Sequence, residues 1–140
     1  MPARAIPAEL RRLVVERAHD RCEYCKLAQA GQEARFHIDH IIPLARGGQT
    51  TPDNLALACV SCSLRKGARE MTTDPQTGAI VRLFNPRQDR WEEHFAWQND
   101  VMLVGLTEIG RATVAALDLN RPLILAIRRA EIALGRHPPS

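Results

Sequence analysis

FHIDHIIPLARGGQTTPDNLALACVSCSLRKG, residues 36–67, carries most of the information about how this chain folds. The run from Arg35 to Ile42 is rich in β-formers and stops at Pro43. The segment ARGGQTTPDN that follows is a loop, marked by Gly47-Gly48 and Pro52-Asp53-Asn54. Leu55–Ala58 reads as a second short strand, and Ser61–Arg69 suits a short basic helix that ends near Gly67. The order is strand, loop, strand, helix.

Two cysteine knuckles bracket this unit. Cys22-x2-Cys25 lies before it and Cys59-x2-Cys62 within it, with 33 residues between the knuckles. In a reducing compartment, paired CxxC knuckles point to thiolate coordination of Zn²⁺ more than to disulfides. Zinc takes four soft ligands in a tetrahedron, and each knuckle supplies two. A closed four-thiolate site is structural, because catalysis needs an open position. Chance thiols or a redox pair are the competing readings.

Outward from the knuckles, residues 7–19 read as a helix from the 3–4 spacing of Leu10, Val14 and Ala18, with Pro7 near its start. KLAQAGQEA, residues 26–34, is a polar connector. Beyond the basic helix, residues 74–78 form a turn and 79–84 a strand. Residues 95–97 and 101–104 flank Gln98-Asn99-Asp100 as a hairpin, and 107–117 and 122–134 read as helices, with a break at Asn120 and a stop at Gly135. HPPS, residues 137–140, reads as a loose tail. The expected fold class is α+β: residues 1–70 form an N-terminal helix and zinc-stapled ββα core, and residues 71–140 a hairpin and helix extension packed on it.

Composition narrows the classes. With 45% hydrophobic and 25% charged residues in 140, wholesale disorder is excluded. Lys and Arg exceed Asp and Glu by 19 − 16 = 3, which permits a polyanionic partner without requiring one. No run of 18 apolar residues spans a membrane, and MPARAIPAELRRLVVERAHD has no uninterrupted apolar stretch of the secretory kind, so a cytoplasmic location is expected. Aromatics are only 4%, so Phe84, Trp91, Phe95 and Trp97 read as the core of the extension rather than a base-stacking platform; His19 and His94 read as structural, the latter beside Trp91 and Phe95.

Residues 36–67, with CEYC at 22–25, resemble the HNH nuclease family, whose core is the ββα-metal motif. Asp39-His40, Asn54 fourteen residues on, position 63 nine further, the Gly-Gly loop and the NLxLxCxxC continuation together fit that pattern. VRLFNPRQDRWEEHFAW and VGLTEIGRATVAALDLNRP look like the extension of small, free-standing bacterial members, so the resemblance covers about residues 10–122.

The resemblance implies a metal-dependent endonuclease acting on DNA. His40 is the candidate general base, since a neutral imidazole takes a proton at cellular pH. Asp39 is the candidate ligand of a hard cation such as Mg²⁺. Asn54 is expected to pin the loop. The family places His or Asn after the fourth knuckle cysteine as a cation ligand, and here that residue is Ser63. A hydroxyl is a weaker, shorter ligand that works through a water, with three possible consequences: weak affinity, a preference for Mn²⁺ or Ni²⁺, or loss of cutting. His37 shares the strand face of Asp39 and is a candidate ligand or DNA contact, against the plainer reading of a half-buried polar neighbour. Arg46, Arg65, Lys66 and Arg69 surround the site as candidate phosphate contacts, or as ordinary solvated charge. Arg128 and Arg129 lie on the last helix as a packing face, a dimer face or a DNA contact.

Phosphate contacts position without specifying sequence, and no separate base-reading module is evident, so cleavage of double-stranded DNA with low sequence specificity is expected. Ser63 motivates a second reading, a zinc-stabilised nucleic-acid-binding module that no longer cuts; a protein-interaction adaptor stands behind both.

Overall fold

A computed structural model describes residues 6–139. Helix α1 (Ala8–Arg17) begins after Pro7 and has Glu9 in its first turn and Arg17 in its last, each charge suited to its end of the helix dipole. It buries Val14 and stops where His19 and Asp20 adopt left-handed backbone (φ 54° and 57°), turning the chain into the first knuckle. His19 is therefore an exposed turn residue, not part of the core.

Strands β1 (His37–His40) and β2 (Leu55–Ala58) pair antiparallel, with His37 opposite Ala58 and His40 opposite Leu55. All four residues of β2 are buried, so its sequence LALA shows no alternation. Its edge away from β1 is covered too: the Arg17 guanidinium of α1 donates to the Leu55 carbonyl, and Glu23 of the first knuckle brackets Leu57. The Glu23 amide donates to the Leu57 carbonyl at 2.8 Å, while the Leu57 amide donates to the Glu23 carboxylate at 2.9 Å. Helix α2 (Val60–Lys66) follows, capped by Cys59, whose Sγ accepts from the Cys62 amide at 3.4 Å. This is the expected ββα unit.

The rest of the chain differs from the sequence reading at a strand, a short helix and the tail. Met71–Thr73 forms a strand, β3, paired with β4 (Ile80–Arg82), where only the second strand of the pair is expected. The turn between them is fixed by buried Asp74, which accepts 3.1 and 2.8 Å hydrogen bonds from Arg111. After the short helix α3 (Trp91–His94), β5 (Phe95–Gln98) and β6 (Met102–Gly105) form the second hairpin through Asn99 and Asp100, both at positive φ as a tight hairpin turn requires. Helix α4 (Glu108–Ala116) is capped by the Thr107 hydroxyl, which accepts from the Gly110 amide. Gly110 is obligatory, because a Cβ there would lie 2.1 Å from the His94 carbonyl oxygen.

Helix α5 (Pro122–Ala133) closes the molecule. Val14, Tyr24, Leu55, Leu57, Phe84, Phe95, Leu117 and Ile124 belong to one apolar cluster with the four cysteines, so both halves of the chain share a core. Phe84 and Phe95 meet edge to face at 5.2 Å, while Trp91 and Trp97 are half-buried. His94 packs on Phe84 at 5.9 Å and bonds the Thr107 hydroxyl at 2.6 Å. The expected loose tail is anchored: His137 is buried against Trp97 at 4.5 Å and bonds the Asp100 carbonyl. Residue 140 lies outside the described residues.

Arg128 of α5 is buried and has no carboxylate partner among the described residues. It donates to the carbonyls of Val101 at 2.9 Å and Leu119 at 2.8 Å, and its guanidinium lies 5.0 Å from the Trp97 ring centre. Burial lowers its pKa, and Cys25, Cys62 and Cys22 pull it back up.

Candidate active site and metal centre

The two knuckles meet. Cys22, Cys25, Cys59 and Cys62 are all buried, and their sulfurs lie within 4.8 Å of one another. A tetrahedron with Zn–S bonds of about 2.3 Å has S–S edges of about 3.8 Å. Cys25 Sγ and Cys59 Sγ are 3.7 Å apart, as that geometry requires. Backbone amides support the sulfurs: the Cys25 amide donates to Cys22 Sγ at 3.5 Å, as the Cys62 amide does to Cys59 Sγ. Interaction among the four sulfurs lowers the pKa of Cys59, while burial raises that of Cys22. The donor set, spacing and burial fit a closed structural zinc site. Among the described residues no other group of three or more His, Cys, Asp or Glu side chains converges in this way.

Against this staple lies a cleft of about 450 Å³. His37, Asp39 and His40 from β1, Pro43, Leu44 and Ala45 from the loop, Ser63 and Gly67 from α2, and Arg11 from α1 line it. Four of the expected site residues, His37, Asp39, His40 and Ser63, thus line the same cleft, although neighbours on an ideal strand face opposite ways. Two long-range contacts shape the end of β1. Asn54 accepts from the Ile42 amide at 2.8 Å and donates to the carbonyls of Ile42 at 3.0 Å and Gln49 at 2.8 Å. Lys66 donates from Nζ to the His40 carbonyl at 3.0 Å. Asn54 therefore holds the loop and does not line the cleft. Gly48 permits the tight loop, since a Cβ on it would lie 1.7 Å from the Ile42 carbonyl oxygen.

Each candidate has a defined partner. His40 Nε2 lies 2.9 Å from the Thr50 hydroxyl. Partial burial, aided by the nearby Lys66 ammonium and opposed by Asp39, lowers the His40 pKa below the ordinary 6.5, so the imidazole is neutral at cellular pH. Asp39 Oδ2 accepts from the Tyr24 hydroxyl at 3.0 Å and lies 3.2 Å from Lys66 Nζ. Burial raises the Asp39 pKa despite the ammonium and the phenol. Both contacts use Oδ2, and Oδ1 makes none among the described residues. His37 Nδ1 and Ser63 Oγ are 2.9 Å apart, so the imidazole from the strand sits beside the hydroxyl at position 63.

Lys66 corrects the sequence reading. It is 2% exposed, with its ammonium turned inward, so it is not a surface phosphate contact. Arg46, Arg65 and Arg69 remain exposed, with Arg46 donating to the Ala68 carbonyl and Arg69 to the Arg65 carbonyl. Arg11, Tyr24 and Thr50 are site residues that the sequence reading missed. For Lys66 a signal existed: it lies four residues after Cys62, on the helix face that the knuckle turns inward. Tyr24 carries no such mark.

A ββα unit stapled by four cysteines, with a histidine and an aspartate at the end of its first strand, defines the class of domain. The family model described as HNH endonuclease matches residues 22–69, and this segment is what the chain has in common with that family. No curated protein and no solved structure matches the chain. No helix among the described residues is long and apolar enough to cross a membrane.

Proposed function

We propose that the protein is a metal-dependent DNA endonuclease of the HNH type, acting in the cytoplasm on double-stranded DNA with low sequence specificity. The observation that carries the reading is the cleft lined by both Asp39 and His40 inside a segment similar to HNH endonucleases. In this reading His40 takes the proton from a water as its oxygen bonds to phosphorus. The bond from phosphorus to the leaving oxygen then breaks, and that oxygen takes a proton from solvent. Thr50 orients the imidazole, and Asn54 holds the backbone just beyond it.

The residues present fit a hard cation. Mg²⁺ needs only one or two carboxylates and keeps several waters, and Asp39, whose Oδ1 is unengaged among the described residues, lines the same cleft as Ser63 and His37. When bound, Mg²⁺ or Mn²⁺ (Ni²⁺ equally for a nitrogen-bearing ligand set) supplies Lewis-acid stabilisation of the charge that builds on phosphate. His37 brings an imidazole next to position 63, where the hydroxyl alone is a weak ligand. The exposed cations Arg46, Arg65 and Arg69 contact the sugar-phosphate backbone, and residues 71–140 serve as an extension packed on the core of residues 1–70.

A supercoiled-plasmid assay tests the reading. Nicking with Mg²⁺, Mn²⁺ or Ni²⁺ that disappears in EDTA and in His40→Ala is the expected result. The second reading, a zinc-stabilised module that binds without cutting, is favoured by one observation: a lysine already occupies Asp39. Binding without nicking, equal in the wild type and His40→Ala, would establish it.

A further inference from the structure

The ammonium of Lys66 lies between the Asp39 carboxylate and the His40 carbonyl. It is 2% exposed, 3.2 Å from Asp39 Oδ2 and 3.0 Å from the His40 carbonyl oxygen. Its stem runs through the interior from the last turn of α2. Asp39 is itself buried, and its other neutral partner, the Tyr24 hydroxyl, binds the same oxygen. A buried carboxylate is stable as an anion only when a cation or several donors offset its desolvation. Lys66 is the only cation within salt-bridge distance of Asp39 among the described residues, and Asp39 is the only carboxylate within that distance of Lys66.

We infer that Lys66 is a resident cation for Asp39, and that a divalent cation binds in the cleft only by displacing the lysine ammonium from that carboxylate. This rests on the nuclease reading for its purpose but not for its test. Two positive centres on one small carboxylate repel strongly where water is scarce, so the ammonium must leave Oδ2 as the divalent ion arrives. Lys66 has a long flexible stem that allows this; an arginine fork would not leave as readily. Its departure also frees the His40 carbonyl that it holds, so metal entry is coupled to the backbone of the candidate base. Lys66 is a positioning residue that sets how readily the site takes metal, without touching substrate.

Mn²⁺ binding to the zinc-loaded protein, read by the electron paramagnetic resonance signal of free Mn²⁺, tests the inference without DNA. Lys66→Met removes the charge while keeping an apolar stem, and Lys66→Arg keeps the charge. The expected result is at least tenfold tighter Mn²⁺ binding by Lys66→Met and no tightening by Lys66→Arg. Unchanged or weaker binding by a folded, zinc-replete Lys66→Met overturns the inference, as does failure of all three proteins to bind Mn²⁺.

Should Lys66→Met not fold, amine acylation of the wild type followed by mass spectrometry decides the matter. Lys66 is then protected without Mn²⁺ and labelled at least tenfold faster at saturating Mn²⁺, whereas continued protection at saturation overturns the inference. Tighter Mn²⁺ binding in a protein that never nicks DNA leaves the inference standing and removes the nuclease reading. Nicking by a wild type whose Lys66→Met binds Mn²⁺ no better does the reverse.

Discussion

Asn54 grips Ile42 on both sides of the same residue: its side-chain oxygen accepts from the Ile42 amide at 2.8 Å and its side-chain nitrogen donates to the Ile42 carbonyl at 3.0 Å. A third bond to the Gln49 carbonyl ties the loop's far limb to the same amide. One side chain thereby sets the path of the backbone just beyond His40.

Asn54→Ala leaves three backbone groups without their partner, and a buried unsatisfied group costs roughly 1–3 kcal/mol. With water reaching part of the loop, the expected loss of stability is about 2–4 kcal/mol by denaturant unfolding. Nicking should fall on the order of 100-fold, since small misplacements of a catalytic group have effects of that size. Zinc content should not change. Retention of full nicking would remove Asn54 from any role in placing His40.

The pH dependence of cutting follows from the environment of His40. A general base works when unprotonated, and burial together with the Lys66 charge lowers this imidazole below 6.5. The rate constant kcat/KM should therefore rise with pH through a value under 6.5 and stay level from there to about pH 8. A bound divalent cation moves the rise further in the same direction. A rise centred above 6.5, or one that survives in His40→Ala, would assign the base elsewhere.

Purified protein should carry about one zinc per chain by elemental analysis. Zinc thiolate binding is coupled to folding, so Cys59→Ser should lose the cooperative thermal transition and not merely activity. A soluble Cys59→Ser with wild-type melting would contradict the four-cysteine staple.

Salt dependence separates the surface cations from the inward ones. Alanine at Arg46, Arg65 or Arg69 should each lower the slope of log binding constant against log salt by about 1 and weaken binding evenly across sequences. Lys66→Met should leave that slope unchanged, because its ammonium does not reach the surface. Fluorescence anisotropy with two unrelated duplexes at several salt concentrations reads both effects.

The parts of the fold that were legible in the sequence are those set by short-range chemistry. The CxxC pairs, the stop at Pro43, Gly47-Gly48 and the helix capped by Cys59 each declare themselves within a few residues. Strand β3 did not, because Met71–Thr73 is short and mostly exposed, and its turn depends on an Asp74–Arg111 pair that spans 37 positions. His137 looked like tail because nothing near it in sequence forecasts the Trp97 ring that covers it. The candidate site was legible as a set of residue types, but its internal wiring was not. Which of Arg65 and Lys66 turns inward depends on helix phase relative to Cys62, and the phenol that reaches Asp39 comes from inside the opposite knuckle.

Arg128 seats the closing helix on the carbonyls of Val101 and Leu119, and Cys25, Cys62 and Cys22 raise its pKa against the effect of burial. Zn²⁺ on four thiolates carries a net charge of about −2, a natural counterweight to a guanidinium that has no acidic neighbour. A chain starved of zinc keeps the guanidinium and, once its sulfurs are protonated, loses that counterweight. What remains is the grip of Arg128 on the Val101 and Leu119 carbonyls, by which the closing helix stays seated over buried Ile124.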